Sequence, residues 1–417
     1  MAERLALLGG RPVRQRPFTA WPIFGPREEA RVLGALRSGH WGRLDGNEVS
    51  EFEGRFAAQH GCRHGIAMVN GTVSLRLGLM AAELPAECEV IIPPYTFFST
   101  ASAVIEANMV PVFADIELAT FNLDPRAVAA AITPKTRAII PVHFAGQPAD
   151  MEAIMTIAQQ HNLLVIEDAA HAHGAGHRLG PAGSLGHVAS FSFQSSKNLT
   201  SGEGGIITTN DDRLAAACRS LHNCGRIPTG VWYEHHVISG NYRLGELQGA
   251  LLNAQLEALE EQTSTRDANG QFLAARLSKL PGLHPQERPA FCTRHAYHLF
   301  MMRIDAQAFG VPRGAVVEAL RAEGIPCSPG YGLSLPQQPM FQNRAFGPYL
   351  PCVSDQLDYA RVQCPNSDLL CSDQALWLEQ AMFLGPRADV EDIARAFEKI
   401  HDQRAALVDS HRQAAGK

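Results

Sequence analysis

The stretch Leu163-Leu-Val-Ile-Glu-Asp168-Ala-Ala-His171 sets four apolar residues directly before two acids. A run this short and this apolar reads as a strand buried on both faces, the kind that parallel sheets contain. Burying an acid at its end costs free energy unless a cation answers it, so Asp168 marks the end of the strand where a ligand would sit. A helix cap is the other reading of the same residue. Six more runs repeat the pattern: Gly65 to Val69, Glu89 to Ile92, Val110 to Ala114, Thr136 to Val142, Val188 to Phe193 and Gly205 to Thr209. Helix-like amphipathic segments alternate with them, which predicts an α/β layer structure with a mainly parallel sheet and helices on both faces.

Farther along, residues 243–280 read as one long helix, with Leu244, Leu247, Ala250, Leu251, Ala254, Leu256 and Leu259 spaced by threes and fours. It would bridge to a second, smaller α+β domain. That domain is expected to hold a strand at His298 to Ile304, helices at 312–323 and 388–408, and a tail frayed from about residue 409. The expected division is residues 1–255, a large domain with an N-terminal arm, and residues 256–417.

A chain of 417 residues, 46% apolar, is long enough for two well-packed domains. The net charge of -6 and the lack of any dense Lys/Arg run give no footprint for nucleic acid or an anionic membrane, so a small-molecule partner is expected. Met1 to Pro17 lacks the continuous apolar core of a signal peptide, and no apolar stretch is long enough to span a bilayer, so a cytoplasmic location is expected. Nine cysteines without a C-x-x-C pair point to buried free thiols, not to disulfides or a structural zinc site.

The chemistry concentrates in four places. In Ser192-Phe-Gln-Ser-Ser-Lys197-Asn-Leu-Thr-Ser-Gly-Glu-Gly-Gly205, a lysine follows a strand among small hydroxyl residues, where backbone can approach a ligand closely. A desolvated lysine there has the lowered pKa that an imine-forming amine needs. Asp168 would pair with a protonated pyridine nitrogen and so keep the ring an electron sink, while His171 could stack on or orient that ring. Val69-Asn-Gly71-Thr72-Val-Ser74 turns from strand into helix and offers backbone N–H groups and a hydroxyl to a phosphate. Pro94-Tyr-Thr-Phe97-Phe98-Ser99-Thr100 supplies an aromatic to lie against a planar ring.

These four segments, in this order and spacing, resemble the DegT/DnrJ/EryC1/StrS sugar aminotransferases, which share the fold-type-I, aspartate aminotransferase-like architecture. The resemblance runs from about Leu5 to Ile400. It implies pyridoxal 5'-phosphate as cofactor, with Lys197 forming the imine and moving protons, Asp168 on the pyridine nitrogen and Phe97 on the ring. Gly71, Thr72 and Ser192 would hold the phosphate. His171 stands where Gln is common.

In Gly240-Asn241-Tyr-Arg243-Leu-Gly245-Glu-Leu-Gln248, Asn241 would reach the phosphate of a neighbouring subunit, implying a homodimer with shared sites. Gly245 replaces the usual Ser or Thr, with an expected helix penalty of about 1 kcal/mol. Arg243 could meet the donor's carboxylate or serve a structural ion pair; His143 and Tyr331 align near the substrate. Leu5 to Val13, Ser220 to Arg226 and Trp377-Leu-Glu-Gln380 resemble the branch acting on keto-cyclitols such as scyllo-inosose, with L-glutamine or L-glutamate as donor. A keto-cyclitol is therefore the first expectation for the acceptor and a nucleotide-linked keto-sugar the second. Lys197 argues against the related dehydratases, which carry histidine there. The remaining alternative is a protein that binds the cofactor for sensing or regulation without turnover.

Overall fold

The computed structural model describes residues 4–415. The seven apolar runs are seven strands of one sheet: β1 (His64–Met68), β2 (Glu89–Ile92), β3 (Val110–Phe113), β4 (Thr136–Ile139), β5 (Leu164–Asp168), β6 (Val188–Ser192) and β7 (Gly205–Thr209). Their order is β1-β7-β6-β5-β4-β2-β3. The pairs among β2 to β6 are parallel, while β7 runs antiparallel to both β1 and β6. Residues 193–204 hold no helix, and without a helical crossover the chain returns antiparallel. Lys197 sits in that short connection.

Helices cover both faces of the sheet, as continuous burial along the strands requires. On one side Gly71–Ala81, Ser99–Glu106 and Asp212–His222 enclose a core containing Leu75, Ile92, Val104, Ile166 and Leu214. On the other, Met151–His161 packs over Ile139 and Val165, and Glu48–Gln59 brings Phe52 and Phe56 onto Phe191 and Phe193. A second core is built on the antiparallel strands β8 (Leu283–Pro285), β9 (Leu299–Ile304) and β10 (Ala375–Glu379), with helices Arg313–Ala322 and Arg387–Asp402 across them.

Two segments pack across residue 255, where the chain was expected to divide. Leu5, from the N-terminal arm, is buried in the second core, whereas Leu335, Phe341, Phe346, Leu350 and Tyr359 are buried in the first.

Three local expectations are corrected. Residues 243–280 form two helices, Glu246–Leu256 and Leu259–Leu277; at the join Glu257 N and Ala258 N bond to carbonyls three residues back, which tightens the last turn and ends the first helix. Gly245 is the N-cap of the first of these, with non-helical φ -84° and ψ 158°, so the interior glycine penalty does not apply. The expected frayed tail is instead helix from Arg404 to Ala415. No helix among the described residues is long and apolar enough to cross a membrane. All nine cysteines are free, and six of them are buried.

Candidate active site

A cavity of about 800 Å³ opens at the carboxyl ends of β1, β2, β5 and β6, where the sheet meets the second core. Gly71, Thr72, Phe97, Asp168, His171, Ser192 and Lys197 all line it. They lie far apart in sequence, and the shared polarity of the parallel strands brings their ends together.

One end of the cavity is a cradle of hydroxyls and helix N-termini. Gly71 opens the helix Gly71–Ala81, capped by Asn70, whose side chain accepts from Val73 N at 2.9 Å. Ser99 opens the helix Ser99–Glu106, and its Oγ lies 2.7 Å from Thr72 Oγ1. Ser192 stands opposite, so close to Gly71 that a Cβ added there would lie 2.8 Å from Ser192 Cβ. Only glycine permits this approach. Unpaired backbone N–H groups beside hydroxyls suit a phosphate.

Deeper in, Asp168 is 5% exposed. Thr100 Oγ1 donates to its Oδ2 at 2.8 Å and Ala170 N to its Oδ1 at 3.2 Å. Burial raises its pKa, opposed by these two bonds and the charge of Lys197. No cation of the protein is hydrogen-bonded to it among the described residues. Lys197 points into the same space, its Nζ without a hydrogen-bond acceptor among the described residues. Burial lowers its pKa from 10.5 to about 8, with Asp168 pulling the other way. A buried carboxyl short of a cation, a lysine near neutrality and a phosphate cradle fit a group that carries a ring nitrogen, a carbonyl and a phosphate.

The imidazole of His171 is neutral, because burial drives its pKa well down. Its Nδ1 accepts from Ala145 N at 3.3 Å, leaving the proton on Nε2. Its ring centroid is 4.2 Å from that of His298, which arrives with β9 from the second core. His298 Nδ1 bonds Asn198 Oδ1 at 3.2 Å, beside Lys197. Phe97 is 55% exposed, an open aromatic face on the cavity wall.

Tyr331 lines the cavity, edge-on to Trp377 with centroids 4.7 Å apart. His143 does not: it is fully buried, and its Nε2 bonds Glu167 Oε2 at 2.8 Å. Asn241 and Arg243 also lie off this cavity. Asn241 is exposed, and Arg243 Nη1 donates to Asn223 Oδ1 at 2.6 Å. The sequence reading missed Trp21, Ser99, Thr100, His298 and Gln380 on the wall. Ser99 and Thr100 stand inside a segment it quoted, where their hydroxyls after the aromatic pair were the available signal, and Gln380 closes Trp377-Leu-Glu-Gln380, quoted for its resemblance and given no place on the wall.

A lysine on the return between two strands, facing a buried acid at the sheet's carboxyl edge, defines a class: this is a fold-type-I aminotransferase. Within that class the chain belongs to the DegT/DnrJ/EryC1/StrS aminotransferase family, whose sequence profile matches residues 23–382. It is 36% identical to an L-glutamine:2-deoxy-scyllo-inosose aminotransferase of Streptoalloteichus tenebrarius, over 96% of this chain and 98% of that protein. It is 35% identical to 3-amino-5-hydroxybenzoate synthase of Amycolatopsis mediterranei, over 90% of this chain and 95% of that protein. The crystal structure of a 3-amino-5-hydroxybenzoic acid synthase superposes with a TM-score of 0.84 at 34% identity, covering 94% of this chain and 100% of that one.

Proposed function

We propose that this aminotransferase uses pyridoxal 5'-phosphate to move an amino group from L-glutamine or L-glutamate to a keto-cyclitol, with a nucleotide-linked keto-sugar as the second choice of acceptor. The observation that carries the reading is the pairing in one cavity of Lys197, tuned to about pKa 8, with Asp168, a buried carboxyl to which no cation of the protein is hydrogen-bonded among the described residues. The cofactor, when bound, supplies an electron sink for the bond made or broken at the substrate carbon. Thr72, Ser99, Ser192 and the amide of Gly71 would hold its phosphate, and Asp168 its ring nitrogen. Phe97 would cover one face of the ring, with His171 in reach of the other side.

Lys197 would hold the cofactor through its amine and, once freed from it, would take the proton from the donor's α-carbon and deliver it to the cofactor. Both duties need an amine that is neither fully protonated nor weakly basic at neutral pH. The names of the relatives support the choice of donor and acceptor. The exposed loop bearing Val231, Trp232, Tyr233 and Ile238, next to Asn241, supports a homodimer in which Asn241 completes the neighbour's phosphate site. A cytoplasmic location remains part of the proposal.

The test is the visible absorbance of the purified protein loaded with pyridoxal phosphate, before and after L-glutamine or L-glutamate, with Lys197→Ala alongside. A Lys197-dependent band that bleaches with one donor supports transamination, and recovery on adding a keto-cyclitol supports the acceptor. A band that responds to no amino donor leaves the binding or regulatory reading instead.

A further inference from the structure

Among the described residues Arg266 is the largest fully buried side chain, and no acid pairs with it. It lies on the helix Leu259–Leu277, and its Nε donates to Gln380 Oε1 at 2.9 Å. Its Nη1 and Nη2 have no hydrogen-bond partner among the described residues. Burial alone brings its pKa from 12.5 to about 9, with no carboxylate opposing the shift. The indole of Trp21 covers the guanidinium, 5.3 Å from its carbon to the ring centroid. A buried cation left this way is costly, and such a cost persists in a fold when a ligand relieves it.

Both neighbours of Arg266 face the catalytic cavity, since Trp21 and Gln380 line it. A guanidinium can only donate, so the bond to Arg266 fixes the carbonyl oxygen of Gln380 inward. Its Nε2 amide, with two N–H donors, is then left at the cavity wall without a partner among the described residues. The positive charge behind the amide polarises those donors towards an anion. Lys197 is the only lysine or arginine on the wall among the described residues, and the proposed function gives its nitrogen to the cofactor.

We infer that Gln380 is the contact for the α-carboxylate of the amino donor, and that Arg266 is the positioning residue that orients the amide and supplies the attracting charge. The inference rests on the transamination reading above. An α-amino acid brings a carboxylate that gains from a buried cation; a neutral cyclitol ketone gains nothing from it. The wall made by Trp21 and Gln380, with Arg266 behind it, therefore discriminates between the two substrates that must use one cavity in turn.

The test compares Gln380→Leu, Gln380→Glu and Arg243→Met in the holoenzyme, following donor and ketone half-reactions separately through the cofactor's absorbance. Gln380→Leu is expected to raise the half-saturating donor concentration about tenfold or more, the loss of one hydrogen bond to a charged group. The ketone half-reaction should stay within about twofold. Gln380→Glu sets a carboxylate against Arg266, so the protein should melt at a higher temperature while donor binding falls further. Glutarate, which carries carboxylates but no amine, should raise the melting temperature of the wild type and not of Gln380→Leu. A packing role alone predicts lower melting for both variants and equal weakening of both substrates, and either result overturns the inference. So does a donor defect in Arg243→Met with none in Gln380→Leu. A wild-type holoenzyme that ignores every amino donor ends the transamination reading itself, and the inference with it.

Discussion

Lys197 and Asp168 each hold a position that disfavours their charged form. For Lys197 the folded pKa of about 8 lies below the ordinary 10.5. The sign of the linkage is fixed: the cost to the fold begins as pH falls below 10.5 and is complete once it is below about 8. Lys197→Met in cofactor-free protein should therefore melt above the wild type near neutral pH, with the advantage fading as pH is raised through that window. Thermal unfolding of both proteins at the two ends of the window measures it. An equal gap at both ends would contradict the burial of the amine. Such a lysine was legible in the sequence because a strand, a hydroxyl-rich turn and a glycine cluster surround it. Trp21, His298 and Gln380 were not, because their place on the wall is set by how the second core docks on the sheet. His143 lies off the wall for a different reason: its imidazole pairs with Glu167, which alternation along the strand turns to the face opposite Asp168.

At the scale of elements, the short strands Leu283–Pro285 and Ala375–Glu379 were not read at all, whereas the seven strands of the large sheet were readable to within three residues, since continuous burial leaves no polar position to blur their ends. The helices were less so. The join at residues 257–258 rests on a change of hydrogen-bond pattern that apolar spacing does not encode. Another contact that no local pattern shows is the cap of the helix Glu48–Gln59. Its N-cap, Asn47, makes no side-chain cap bond; instead Glu246, 1% exposed and nearly two hundred residues away, accepts from Glu48 N at 2.5 Å and Val49 N at 3.4 Å. Glu246→Ala should cost about 1–2 kcal/mol, the range for a lost helix cap, and lower the melting temperature with cofactor loading intact. A variant that melts with the wild type would show that water caps the helix equally well.

For the whole molecule, the α/β class and the catalytic edge of the sheet were legible, and the lacing of the two cores was not. Phe341 comes late in the chain yet is fully buried in the first core, edge-on to Phe113 at 5.1 Å between centroids. Phe341→Ala should destabilise the protein by about 3–5 kcal/mol. Because that segment ties the later half of the chain to the sheet, cofactor absorbance and helical circular dichroism should be lost together in a urea titration. Two separated transitions would mean that the halves unfold on their own.

This lacing also governs how the enzyme can be recombined with its relatives. A chimera cut once near residue 255 would set one parent's residues 335–359 against the other parent's sheet, and one parent's Leu5 arm against the other's second core. A working graft must exchange three stretches at once: the arm and the late helices as one unit, the sheet as another, and 335–359 travelling with the sheet it covers. The cavity's walls in this scaffold are therefore built from interleaved blocks, not from a detachable half.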